Sequence, residues 1–142
     1  MKIVDLVDRV KKGQTTARAQ VERSLAKAQE TEEYHALLSL TAERALQRAD
    51  EIDERIKKGE NPGVLAGVPF VVKDNYLAFG APTTAAAKML ENFQAPVQAT
   101  VVEKLEAAGA ICIGKSNLDA FAHGGSTENS YFGATHNAVD QA

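Results

Sequence analysis

Two stretches hold residue types that could do chemistry. The first is Lys73, which closes the apolar run Val68-Pro69-Phe70-Val71-Val72 and is followed by Asp74-Asn75. An amine whose hydration is limited by apolar walls loses proton affinity, and its neutral form can then act as a base. A lysine at a strand end also has a plainer use, which is to carry its charge into water. The second stretch is His123-Gly124-Gly125-Ser126-Thr127-Glu128-Asn129-Ser130. Its paired glycines let the backbone approach a ligand closely or turn through positive φ, and its hydroxyls and amides offer hydrogen bonds. The same letters also suit an ordinary polar turn.

Other groupings carry less chemistry. Ser126, His123 and Asp119 are the three residue types of a hydrolytic triad, but no nucleophile-elbow pattern surrounds the serine. Triads are set by geometry, which closeness in sequence does not provide. Gly114-Lys115-Ser116 resembles the end of a phosphate-binding loop, yet it follows an apolar strand-like run. His35 and His136 stand far apart without metal-ligand spacing. Cys112, between two isoleucines, reads as a small core residue, and a single cysteine forms no internal disulfide.

The elements that must position these residues follow from periodicity. Ile3, Leu6, Val7 and Val10 recur at helical spacing, with Gly13 as a stop. Thr15 or Thr16 caps a second helix that carries Ala17, Val21, Leu25 and Ala28 on one face. Leu37–Leu40 reads as a strand, and Thr41 as the cap of a third helix with an inward stripe of Ala45, Ala49, Ile52 and Ile56. Beyond Asn61-Pro62-Gly63, residues 68–72 predict a buried strand and residues 85–90 a short helix. Thr100-Val101-Val102-Glu103 has the capping-box pattern of a helix that Gly109 ends, and residues 110–114 predict another strand. Strand, helix and strand in that order suggest a largely parallel sheet covered by helices.

Composition divides the chain near residue 60. Residues 1–60 hold 12 of the 16 Lys and Arg and 12 of the 19 Asp and Glu, whereas residues 61–142 hold all four prolines and eight of the ten glycines. This predicts a helical arm over 1–60 and a more buried α/β region over 61–142. The formal charge of −3 argues against a chain that grips nucleic acid by itself, since phosphate contacts need clustered cations. No apolar run approaches the length of a membrane span, and the N-terminus lacks the apolar stretch of a signal peptide, so a cytoplasmic protein is expected.

Several motifs occur together in a fixed order: Gly67-Val68-Pro69-Phe70-Val71-Val72-Lys73-Asp74-Asn75, Thr83-Thr84, Lys88-Met89-Leu90-Glu91, Gly114-Lys115-Ser116-Asn117-Leu118-Asp119, and Phe121 to Gly133 with Gly125-Ser126-Thr127-Glu128-Asn129-Ser130 at its centre. Together they resemble the amidase-signature family, and within it the A subunits of tRNA-dependent amidotransferases. The resemblance is close over residues 64–140 and loose over the helices before them.

It implies a truncated amidase-signature α/β fold: an N-terminal helical arm over 1–60, then part of a mixed β-sheet core with covering helices over 61–142. It implies a Ser-Ser-Lys triad in which Lys73 takes a proton through a bridging serine, while His123, Gly124, Gly125, Ser126 and Thr127 border the substrate. The substrate would be glutamine. The released ammonia would pass to a partner B subunit that converts Glu-tRNA(Gln) to Gln-tRNA(Gln) with ATP and Mg²⁺, and a C subunit would complete the complex. No cofactor or metal is expected on this chain itself.

In the family the segment matched by Asn137-Ala138-Val139-Asp140 leads into the signature that holds the serines, and this chain ends at Ala142. Alone it is therefore expected to be inactive, and to self-associate or need a complementary C-terminal fragment. Ala120 and His123 depart from the residues common in the family. A general amidase and a non-catalytic scaffold are the competing readings.

Overall fold

The computed structural model describes residues 2–139. Three helices lead the chain: α1 (Ile3–Lys11), α2 (Ala17–Glu30) and α3 (Ala42–Lys57). The hydroxyl of Thr16 caps α2 by accepting the Ala19 N–H at 3.0 Å. Asp53 of α3 completes that cap, its two carboxylate oxygens accepting the Ala17 and Arg18 amides at 2.7 and 3.1 Å. A carboxylate here also meets the positive end of the helix dipole. The facing stripes are those expected: Ala17, Val21 and Leu25 join Ala45, Ala49 and Ile52 in one buried cluster. Small alanines let the two axes approach closely. Leu6, Val10, Ala66, Ile111 and Ile113 belong to the same cluster, so it draws on residues from both sides of position 60. Ala28, placed on the same stripe, is only half-buried.

Among the described residues the sheet has three strands, β1 (Leu37–Leu40), β2 (Pro69–Lys73) and β3 (Ile111–Ser116), in the order β1-β3-β2. Strand β2 runs parallel to β3, and β1 runs antiparallel to it. The sheet is thus mixed rather than largely parallel. Thr41 shows why. Its N–H donates to the Ile113 carbonyl at 3.0 Å and its hydroxyl to the Cys112 carbonyl at 2.8 Å, which ties the end of β1 to the start of β3. Thr41 precedes α3 as expected, but its hydroxyl serves the sheet and does not cap the helix.

Strand β2 is an outer strand of the three and is not buried on both faces. Val71 is 46% exposed, whereas Val72 is buried. Alternation of this kind is what a one-sided strand shows.

Between β2 and β3 runs α4 (Thr100–Ala107). Its cap is Ala99, whose carbonyl accepts the Val102 and Glu103 amides at 2.9 and 3.1 Å, so Thr100 lies inside the first turn and the expected capping box is not made. Gly109 ends the helix at φ +94, and a Cβ there would stand 2.4 Å from the Pro62 carbonyl oxygen. Only glycine fits a left-handed residue pressed against backbone in this way. Residues 85–90 form no full helix. A single 3₁₀ turn covers Lys88–Leu90, and Ala85 and Ala86 before it take left-handed φ of 48° and 53°. Their carbonyls accept the Phe121 and Tyr131 amides at 2.9 and 3.0 Å instead of closing helical turns.

Candidate functional site

Both stretches singled out for chemistry leave the C-terminal ends of neighbouring parallel strands. Lys73 ends β2 and pairs in register with Ser116, which ends β3 and leads into the segment 117–133. Ligands of open α/β sheets bind outside such strand ends. Lys73 is exposed, with Val72 and Asp74 buried on either side of it. The poorly hydrated setting expected for its amine is therefore not formed by residues 2–139. As a residue of an outer strand, Lys73 points to the solvated side of the sheet.

The loop after β3 is organised around two buried or half-buried side chains. Asp119 is buried, and its Oδ2 accepts the Ser126 and Thr127 amides, each at 3.0 Å. The Thr127 N–H holds this carboxyl below the usual aspartate range against the opposing effect of burial; the Asn129 and Ser126 amides and the Lys73 charge add to it. Gly124 lies directly over Asp119, where a Cβ would stand 2.5 Å from the carboxyl carbon. Asn117 is the second organiser. Its amide nitrogen donates to the His35 and Gly133 carbonyls at 3.1 and 2.8 Å, and its oxygen accepts the Ser130 hydroxyl at 2.8 Å.

His123, Gly124, Gly125 and Ser126 are exposed and Thr127 is half-buried, at left-handed φ of 65°. The Ser126 hydroxyl donates to Glu128 at 3.1 Å, and Asp119 is taken up by backbone amides, so no triad forms with His123. The Thr127 hydroxyl accepts the Thr135 amide at 2.7 Å. Gly125, Ser126 and Thr127 line an open depression of about 400 Å³ with Asn117, Thr135 and His136. Because Asp119 holds the Ser126 and Thr127 amides, these donors shape the loop and are not aimed outward at a ligand. Asp140, the last residue of the Asn137–Asp140 segment, lies outside the described residues.

Sequence reasoning missed the buried charges beneath the site. Lys115 and Asp74 both have 0% exposure, and their Nζ and Oδ1 are 2.9 Å apart. Lys115 also donates to the Thr83 hydroxyl at 2.8 Å. Asp74 Oδ1 meets its partner through charge, with no other hydrogen bond, while Oδ2 accepts the Thr84 hydroxyl and the Thr84 N–H at 3.0 Å. The letters from Gly109 to Ser116 do fit the spacing of a phosphate-binding loop. In the fold they form a helix stop and a strand, with the lysine turned into the core, which removes that reading. The missed signal was a lysine inside an apolar strand: it needs a buried counter-charge.

Elsewhere Cys112 is buried and desolvation pushes its thiol up, as suits an inert core residue. Among the described residues no cluster of His, Cys, Asp and Glu could hold a metal ion, and no helix is long and apolar enough to cross a membrane.

The chain is similar to several known proteins. Residues 19–142 match the family model described as Amidase. The chain is 56% identical over 108 residues to the A subunit of the glutamyl-tRNA(Gln) amidotransferase of Gloeobacter violaceus, covering 76% of this chain and 22% of that protein. It is similar to a solved structure from a vestigial protein complex that bears on the origins of an s-triazine catabolic enzyme. That structure has a TM-score of 0.93 and 38% identity, over 99% of this chain and 31% of the other. It is also similar to the peptide amidase of Stenotrophomonas maltophilia, with a TM-score of 0.89 and 27% identity, over 99% of this chain and 30% of that one. The chain thus spans less than a third of the length of each.

Proposed function

The chain belongs to the amidase family, and from that premise we propose that it is the N-terminal part of a tRNA-dependent amidotransferase subunit that frees ammonia from glutamine. The observation that carries this reading is the placement of Lys73 and the Asn117–Ser130 segment at adjacent ends of two parallel strands. A serine hydroxyl is a poor nucleophile at neutral pH unless a positioned base takes its proton. Lys73 is the base in this reading, acting through a bridging serine on a nucleophilic one, and neither serine is assigned to a residue of this chain. The segment from His123 to Thr127 forms one wall of the glutamine site. The exposure of Lys73 fits a base whose covering residues come from the rest of the subunit.

Attack on the carboxamide carbon builds a tetrahedral oxyanion, its collapse expels ammonia, and water then releases glutamate. A partner B subunit uses ATP and Mg²⁺ and makes most of the tRNA contact, and a C subunit completes the complex. The net charge of −3 leaves such contacts to partners. The whole works in the cytoplasm. Similarity to a peptide amidase supports a second reading, a general amidase without tRNA partners. Co-purification with B and C subunits separates the two.

The test is a graft in which this chain replaces the matching segment of the Gloeobacter protein. The graft is expected to release ammonia from glutamine, and Lys73→Ala to lower the rate by roughly 10²–10⁴-fold, the usual contribution of a positioned acid or base. A folded graft without activity, or a Lys73→Ala graft at the unmodified rate, would overturn the proposal.

A further inference from the structure

Lys73 is flanked by a residue with four anchors. Asp74 donates its N–H to the Ser116 carbonyl at 3.1 Å and accepts the Ala85 N–H on its own carbonyl at 3.0 Å. Its side chain binds Lys115 on one oxygen and Thr84 on the other. From there the network continues without a gap. The Thr84 hydroxyl accepts the Ala86 amide at 3.0 Å, and the left-handed Ala85 and Ala86 accept the Phe121 and Tyr131 amides. Phe121 and Tyr131 flank the glycine loop on both sides.

We propose that Lys115 and Asp74 are a positioning pair, which sets where the Lys73 amine stands relative to the loop 123–127. The inference rests on the reading of Lys73 as the base. A fully desolvated ion pair is a poor source of stability, because apolar side chains of equal volume do as well. What it supplies is direction. The pair locks the strand end that carries Lys73 to the turn that carries the loop, so the two halves of the site move as one body. Left-handed φ at five non-glycine positions around this network, Ala85, Ala86, Phe121, Ala122 and Thr127, shows backbone held where it would not rest alone.

The graft provides the test, with Lys73→Ala measured in parallel. Thr84→Val keeps the shape of residue 84 and removes its hydroxyl from Asp74. Misplacing a reacting group by about 1 Å costs on the order of 100-fold in rate. Thr84→Val should therefore lower kcat by roughly 10- to 100-fold with little change in KM, and move the acid limb of the kcat–pH profile. Thr84→Ser, which restores the hydroxyl, should recover both. Lys115→Met should show the same pattern more strongly, and if it does not fold, the Thr84 pair decides alone. Thr84→Val with unchanged kcat and pH profile, or Thr84→Ser as slow as Thr84→Val, overturns the positioning role. If Lys73→Ala retains activity, the reading of Lys73 itself falls instead.

Discussion

At the scale of single residues, the charges that matter are those removed from water. Lys115 without its carboxylate, or Asp74 without its amine, would be an uncompensated charge in the core. Lys115→Met is expected to destabilise the chain by about 3–5 kcal/mol, and adding Asp74→Leu to recover most of that loss. Urea unfolding of the single and double variants measures both, and a single variant as stable as the unmodified chain would contradict the pairing. Asp119 adds a pH dependence. Its folded carboxyl titrates below the ordinary aspartate value near 3.9, so its contribution to stability is complete above that value. It is lost as pH falls through the depressed folded value. The Ser126 and Thr127 amide resonances should hold steady down to about pH 4 and then move together; movement centred above that range would contradict the bonds to Asp119. The letters singled out Lys73 because it ends an apolar run, and the loop 123–130 because of its paired glycines and hydroxyls. Lys115 and Asp74 were not legible as a pair, because the contact joins residues 41 positions apart through the parallel register of two strands.

At the scale of elements, the helices could be read more surely than their ends. The stripes of α1, α2 and α3 followed from spacing, since one face of each must join the buried core. Caps depend on what else a hydroxyl can reach. Thr16 accepts the Ala19 amide and caps α2; Thr41 gives its hydroxyl to the Cys112 carbonyl and leaves α3 without a side-chain cap. Thr16→Ala should cost about 1 kcal/mol. Thr100→Ala should cost little, because that threonine makes no cap. Thermal unfolding of the two variants side by side checks the contrast, and equal losses would contradict it. Residues 85–90 were misread for a related reason: their carbonyls are claimed by the amides of Phe121 and Tyr131, which the local sequence does not reveal.

At the scale of the whole molecule, β1 and β2 are the two outer strands of a three-stranded sheet. Exposed apolar side chains lie along and beyond β2: Val71, Tyr76, Phe79, Phe93 and Val97. Unpaired strand edges beside apolar surface favour association. The isolated chain should therefore sediment above its monomer mass and bind an apolar dye, and a monodisperse monomer without dye binding would count against this. Lys73 follows Val71 on the same face of β2 and is exposed as well, so the proposed role of its amine requires the rest of the subunit to close over it. The most direct measurement is a crystal structure of the grafted protein in its assembled complex. There the Lys73 amine should be withdrawn from bulk water and stand about 2.6–3.2 Å from a serine hydroxyl. An amine still projecting into solvent, with no hydroxyl within reach, would contradict the proposed role.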